Sequence, residues 1–287
     1  MPCSFRIPAA LLLAAVLFAC SPQSHEADPA LWRVVDREGH VGWLFGTIHS
    51  SDRPVNWRTP AVAAAFERSG TVMVEVANLA DEREVAATFA ELARSEGEPP
   101  LSLRVAPQDR PAVEKLLKKS GHADHDFAEM DTWAAALTIA RAGAEGEDTR
   151  YGVDRAVIAA AGARPVLELE GAARQLGLFD SLPEREQRDL LAAVVKEAAA
   201  PDRGLAKSWR SGDMTAIEKE TRAGLLADPE LRQVLFTGRN LRWTGLIARQ
   251  IRSGKRPFVA VGAAHMAGPD GLPAMLAARG FRVVRVE

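Results

Sequence analysis

Two stretches far apart in the chain end alike. Val41-Gly42-Trp43-Leu44-Phe45-Gly46-Thr47-Ile48-His49 and Pro257-Phe258-Val259-Ala260-Val261-Gly262-Ala263-Ala264-His265 are short apolar runs, rich in β-branched and aromatic residues, and each closes on Gly-x-x-His. Runs of this length and composition read as buried strands. In an α/β sheet, ligands collect outside the edge where strands finish. The repeated ending therefore predicts that His49 and His265 leave two strand ends and face one another across one pocket. Gly46 and Gly262 are expected to let the backbone turn tightly, so that both imidazoles point inward.

Composition then narrows the classes of function. Of 287 residues, 47% are hydrophobic and 26% charged, with a formal net charge of -2. This is an ordinary globular balance with room for a large core, and it argues against a nucleic-acid partner, which needs a basic face. After one positive charge at Arg6, residues 7–19 form an almost unbroken apolar run. It is too short to span a bilayer and has the proportions of a signal-peptide core. The run stops at Leu17-Phe18-Ala19-Cys20, which is similar to a bacterial lipobox. The expected organisation is a lipoprotein-type signal peptide over 1–19, lipidation at Cys20, a polar tether over 20–29 and one domain over 30–287. An ordinary secretory signal cleaved nearby is the alternative. The first places the protein in the bacterial cell envelope as a membrane-anchored lipoprotein, and the second makes it secreted or periplasmic. The two cysteines are Cys3 and Cys20, so neither a disulfide nor a thiolate nucleophile is expected in the domain.

In chain order, residues 30–36 alternate like a half-buried strand and turn through Arg37-Glu38-Gly39 into the strand at Val41, an opening hairpin. A polar loop over 50–60 rims the strand end. A helix follows over 60–69, with Pro60 at its start and Gly70 past its end. Thr71-Val72-Met73-Val74-Glu75-Val76 reads as a buried strand interrupted by a carboxylate, which is costly unless paired, hydrogen-bonded or ligating. Glu75 is thus a pocket candidate, the other reading being a strand-end glutamate in solvent. Helices are expected over 81–94, 107–120 and 130–144. His122-Ala123-Asp124-His125-Asp126 is read as a solvated loop rather than a metal site, since no apolar strand anchors it. Asp154 is expected to N-cap a helix over 155–161. Residues 164–170 return as a strand with Glu168 and Glu170 on one face. From 172 to about 252 the pattern is helical, with breaks at 181–183, Pro201, Gly212 and Asp228-Pro229. A helix over 272–279 and a strand over 281–286 close the chain. The fold class is α/β in the α+β sense: a mixed central β-sheet with a helical middle region.

These landmarks resemble the TraB/GumN family, which looks related to the Tiki metalloproteases. The resemblance rests on Leu31-Trp32-Arg33-Val34, Leu44-Phe45-Gly46-Thr47-Ile48-His49, Val74-Glu75-Val76, Gly152-Val153-Asp154, and Leu169-Glu170 with Gln175 and Leu176. It continues through Arg239-Asn240 and Val261-Gly262-Ala263-Ala264-His265 with Gly268 and Gly271, in the family's order. Gly171 stands where the family usually has Thr, and Trp243 where it usually has Met. The resemblance implies a divalent-metal-dependent, peptidase-like hydrolase acting on a peptide or small-molecule substrate. His49, Glu75 and His265 would be ligands to Mn, Co or Zn. Neutral imidazoles and a carboxylate suit such an ion and leave positions for water. Glu170 is assigned as general base or supporting ligand. Arg239 is assigned to an oxyanion or substrate carboxylate, its competing reading being a helical arginine paired to an internal acid such as Glu75. A rival function is capture of a peptide, haem or other ligand without turnover, and a third is an envelope scaffold with structural histidines.

Overall fold

The computed structural model describes residues 24–78, 82–143, 146–200 and 204–287. The expected signal peptide, the lipobox with Cys20 and the break at Pro201 lie outside them. In chain order the strands are β1 (His25–Glu26), β2 (Leu31–Val35), β3 (Val41–Thr47), β4 (Val55–Asn56), β5 (Thr71–Val74), β6 (Val166–Glu168), β7 (Pro257–Gly262) and β8 (Arg282–Arg285). β1 and β4 form a small parallel pair, and the other six form one mixed sheet in the order β6-β5-β7-β3-β2-β8. β6, β5, β7 and β3 run parallel, while β2 is antiparallel to both of its neighbours. The opening hairpin is present, and its turn places Gly39 at φ 90, in the left-handed region that favours glycine.

The unbroken apolar strands follow from burial on both faces. Trp43 and Phe45 of β3, Phe258 and Ala260 of β7, and Val72 and Val74 of β5 enter one core. Leu44, Val259, Val261 and Met73 enter the opposite one. The first face is covered by α1 (Pro60–Arg68) and, after α2 (Glu82–Leu92), α3 (Arg110–Ser120) and α4 (Thr132–Gly143), by α5 (Val153–Ala160). There Phe66 meets Phe258 edge-on, with ring centroids 5.1 Å apart, a favoured aromatic geometry. The helical middle continues with α6 (Ala172–Asp180), α7 (Glu184–Ala199), α8 (Leu205–Arg210), α9 (Met214–Glu220) and α10 (Pro229–Arg232). Around Trp133, α3, α4 and α7 gather a third core of their own. A π-helical turn over Gln233–Thr237 leads into α11 (Gly238–Arg252), which with α12 (Leu272–Ala278) covers the second face of the sheet.

This topology positions the site. β3 and β7 are adjacent and parallel, with Gly46 opposite Val261 and Thr47 opposite Gly262. The chain leaves β5 for β6 on one side, and leaves β7 for β8 at the far edge on the other. The ends of β5 and β7 therefore flank a topological switch point, where open α/β sheets form their crevice.

Several boundaries differ from expectation, each for a local reason. β5 stops at Val74, so Glu75 lies just past the ladder. The strand expected over 164–170 is confined to Val166–Glu168. The Glu168 carboxylate accepts the Ala77 N–H, and Gly171 at φ 79 takes the chain away. That backbone would strain the threonine usual there. α5 begins at Val153, so Asp154 lies inside its first turn and is not its cap. The loop reading at His122 to Asp126 stands: a 3-10 turn spans Asp124–Phe127, and Asp124 accepts from the N–H and hydroxyl of Ser102.

Candidate metal centre

His49 follows β3 by two residues, and backbone contacts fix its position. The Val153 N–H donates to the Ile48 carbonyl at 2.8 Å, and Ser51 and Asp148 exchange a pair of backbone hydrogen bonds. Gly152 lets α5 come this close. A side-chain carbon there would lie 2.5 Å from the His49 carbonyl oxygen and 2.6 Å from Asp154 Oδ1. Asp154 Oδ2 meets His49 Nδ1 at 2.7 Å, while its Oδ1 accepts the Arg155 N–H. The His49 side chain is 63% exposed and borders the larger cavity beside Glu75, Arg239 and His265. Loss of hydration there would lower its pKa. The Asp154 hydrogen bond and the charges of Glu75 and Asp154 outweigh this and raise it to about 9.

Glu75, Arg239 and His265 are buried side by side. Glu75 Oε1 accepts the Gly262 N–H at 2.7 Å, and Oε2 accepts from Arg239 Nη2 at 2.6 Å. Burial alone would raise the Glu75 carboxyl. The positive fields of His265, Arg239 and His49, with the Gly262 N–H, hold it down at about 2. At neutral pH Arg239 and His49 carry that charge. Burial pushes His265 down to about 3 against the pull of Glu75, so its ring is neutral. Asn240 sets the tautomer. Its amide nitrogen donates to the Asp270 carbonyl, so its oxygen, 2.7 Å from His265 Nδ1, accepts a hydrogen bond from that nitrogen, which therefore carries the proton. His265 Nε2 is left as an acceptor, 3.3 Å from Arg239 Nη1. Phe236 stacks on the His265 ring and Trp243 packs 4.6 Å from it.

Arg239 is the hub. Besides Glu75 and His265 it donates from Nε to Glu170 Oε1 at 2.8 Å and from Nη1 to the Leu235 carbonyl, and its guanidinium lies 4.6 Å over Trp243. Of the two parts expected for it, the structure shows the pairing with internal acids. Glu170 sits behind this guanidinium with its side chain 1% exposed, and it does not border the cavity. Its Oε2 has no hydrogen-bond partner among the described residues; Arg242 is 3.9 Å away.

The two sheet-end motifs meet at Gly262. A side-chain carbon there would lie 3.3 Å from Glu75 Oε1, 3.5 Å from His49 Nε2 and 3.8 Å from His265 Cδ2. Neither motif glycine has a left-handed backbone. Both instead allow close approach, Gly46 against the Ala263 backbone at 3.0 Å and Gly262 against Glu75 Oε1 at 3.3 Å, in place of the tight turn expected. A cavity of about 690 Å³ opens from His49, Glu75, Arg239 and His265 toward the wall formed by α7, α8 and α9. A smaller one of about 220 Å³, lined by Thr149, Asp154, Arg155 and Gln175, adjoins His49 and Glu75. Trp209 of α8 ties that wall to the sheet by donating its indole N–H to the Gly46 carbonyl at 2.8 Å.

The donor set fits a divalent ion in kind. Each imidazole is anchored through Nδ1 by an oxygen, as metal-ligating histidines commonly are, which leaves Nε2 as the donor. Arg239, however, engages Glu75 Oε2 and His265 Nε2. Among the described residues, the ligand atoms that lie within 4.8 Å of one another belong to Asp36, Glu38 and His40 and to Glu186, Asp228 and Glu230, not to His49, Glu75 and His265. Asp36 is occupied by the N–H groups of the hairpin turn, and Asp228 caps α10. Asp154, expected as a helix cap, and Asn240, given no role of its own, are site residues, and both lie within the landmark motifs. The Trp209 link had no sequence signal.

A mixed sheet that brings two Gly-x-x-His endings and a buried glutamate to one switch point defines the class of protein. The chain belongs to the TraB/PrgY/gumN family, whose sequence profile matches residues 30–285. It is similar to the uncharacterized protein YbaP of Escherichia coli (strain K12), at 26% identity over 272 residues that cover 91% of this chain and 96% of YbaP. YbaP of Shigella flexneri matches with the same identity and coverage. No solved structure matches the chain.

Proposed function

We propose that the protein is a metal-dependent, peptidase-like hydrolase of the bacterial cell envelope, with His49 Nε2, Glu75 and His265 Nε2 as ligands to Mn, Co or Zn. The observation that carries this reading is the pair of anchored imidazoles around Gly262, one fixed by Asp154 and the other by Asn240. The chemistry such an ion supplies is Lewis acidity toward water and a carbonyl oxygen. Asp154 orients His49, and Asn240 keeps the proton of His265 on Nδ1. Arg239 balances the charge of Glu75, and Glu170 holds Arg239 from behind. The general-base and oxyanion roles expected for Glu170 and Arg239 are not part of this proposal, since the first lies outside the cavity and the second is engaged by neighbours. Ligation requires His49 to give up a proton and Arg239 to yield His265 Nε2. The N-terminal apolar run and Cys20 support the envelope location, by a lipid anchor or by secretion.

A second reading is a binding protein without turnover. It is favoured by Arg239, whose guanidinium engages both Glu75 Oε2 and His265 Nε2. Elemental analysis of protein purified without added metal, run beside a peptide-library cleavage assay, separates the two. Bound metal with cleavage supports the hydrolase. Metal without cleavage, or a haem absorption band lost in His49→Ala, supports the binding protein.

A further inference from the structure

The larger cavity has a chemical bias. One side is apolar, formed by Leu205, Trp209, Ile217, Leu225 and Leu226. Three carboxylates, Glu147, Glu197 and Glu220, border it together with Glu75. Arg239 and the protonated His49 are the cationic side chains among the described lining residues. Arg239 directs its N–H groups to Glu75, Glu170, His265 and the Leu235 carbonyl, and His49 is paired with Asp154, which leaves the four carboxylates in excess. An entering ligand thus meets negative charge over an apolar wall. Thr47 adds an independent sign of a ligand. Its residue is 2% exposed, its hydroxyl has no hydrogen-bond partner among the described residues, and it borders both cavities beside His49. A buried hydroxyl left unmatched is costly, and a backbone amide of a ligand is a matching group.

We propose that this cavity takes an extended peptide segment that combines apolar side chains with lysine, arginine or a free amine. The apolar groups lie against Leu205, Leu225 and Leu226, the cation faces Glu147, Glu197 and Glu220, and a backbone amide meets Thr47. The volume of about 690 Å³ suits a few residues of such a chain. Anionic lipid headgroups and acidic peptides are disfavoured by the same carboxylates. This inference names a substrate class for the hydrolase reading and rests on it for turnover, but not for binding.

The test uses metal-free protein, so binding is read apart from chemistry. Fluorescence anisotropy is followed with a labelled hexapeptide alternating Leu and Lys, and with the same peptide carrying Glu in place of Lys. The Lys peptide should bind at least tenfold more tightly, with the difference shrinking as salt screens the charges. Glu147→Gln with Glu220→Gln should weaken the Lys peptide by about tenfold, at roughly threefold per surface carboxylate, and spare the Glu peptide. Thr47→Val should weaken both. Equal affinity for the two peptides, or preference for anionic vesicles over the Lys peptide, overturns the inference. Cleavage of peptides without regard to charge would overturn it and leave the hydrolase standing. Charge-selective binding, with no metal found in the protein as purified and no cleavage after divalent metal is added back, would support it and remove the hydrolase.

Discussion

Arg239 places one guanidinium against two buried carboxylates and a neutral imidazole. Removing one partner of such a group leaves charge uncompensated in the interior, at a cost of about 3–5 kcal/mol. Arg239→Met should lose stability on that scale in urea denaturation, and Glu75→Gln added to it should restore part of the loss. A loss below about 1 kcal/mol would mean that the carboxylates find water instead. The titrating groups predict how stability responds to pH. Glu75, lowered from 4.5 to about 2 when folded, contributes stability above pH 4.5 that is lost as pH falls toward 2. His265, lowered from 6.5 to about 3, contributes above pH 6.5 and loses it on the same acid side. His49 is raised from 6.5 to about 9, so its contribution is complete below pH 6.5 and disappears as pH rises through 9. The metal-free protein should therefore show its highest Tm near pH 6.5. The alkaline decline should be the shallower one, because the exposed His49 side chain is screened by solvent, and His49→Gln should flatten it. A Tm that continues to climb from pH 6.5 to 9 would contradict this assignment.

Three elements converge on these side chains, and each is placed by a small feature. β3 and β7 bring their motifs together because alternate residues of both strands fill the same two cores. α5 delivers Asp154 because Gly152 offers no side chain to the His49 carbonyl. Gly152→Ala should cost about 1–3 kcal/mol, as overpacked sites do, and should separate Asp154 from His49. Chemical denaturation reports the first effect, and the His49 ring resonances followed through a pH titration report the second. Unchanged values in both would show that α5 does not depend on that contact. The strand ends were legible in the sequence because unbroken apolar runs lead into His49, Glu75 and His265. Asp154 was legible as a residue of interest but not in its role. A helix start explained it locally, whereas its partner lies 105 positions away in the chain. Trp209 gave no warning because α8 has six residues, too few to show a periodicity.

Across the whole molecule, the mixed sheet and the helical middle both follow from patterns written along the chain. The strand order does not, because β7 enters between β3 and β5 only after the entire helical region has been laid down. The same insertion makes the switch point, so the crevice and its residues share one topological cause. The resident partner of Glu75 was anticipated as Arg239, but its hold on His265 required the geometry of the π-helical turn and α11, where the neutral ring stacks on Phe236 and packs at a tilt against Trp243. The central claim is that the anchored imidazoles and Glu75 hold a divalent ion. Its most direct test is elemental analysis of the purified wild-type protein beside the His49→Ala/His265→Ala double variant, with circular dichroism to verify that both are folded. The wild type should carry about one Mn, Co or Zn per chain, as expected for one set of three ligands, and the folded double variant none. Equal metal content in the two proteins would contradict it.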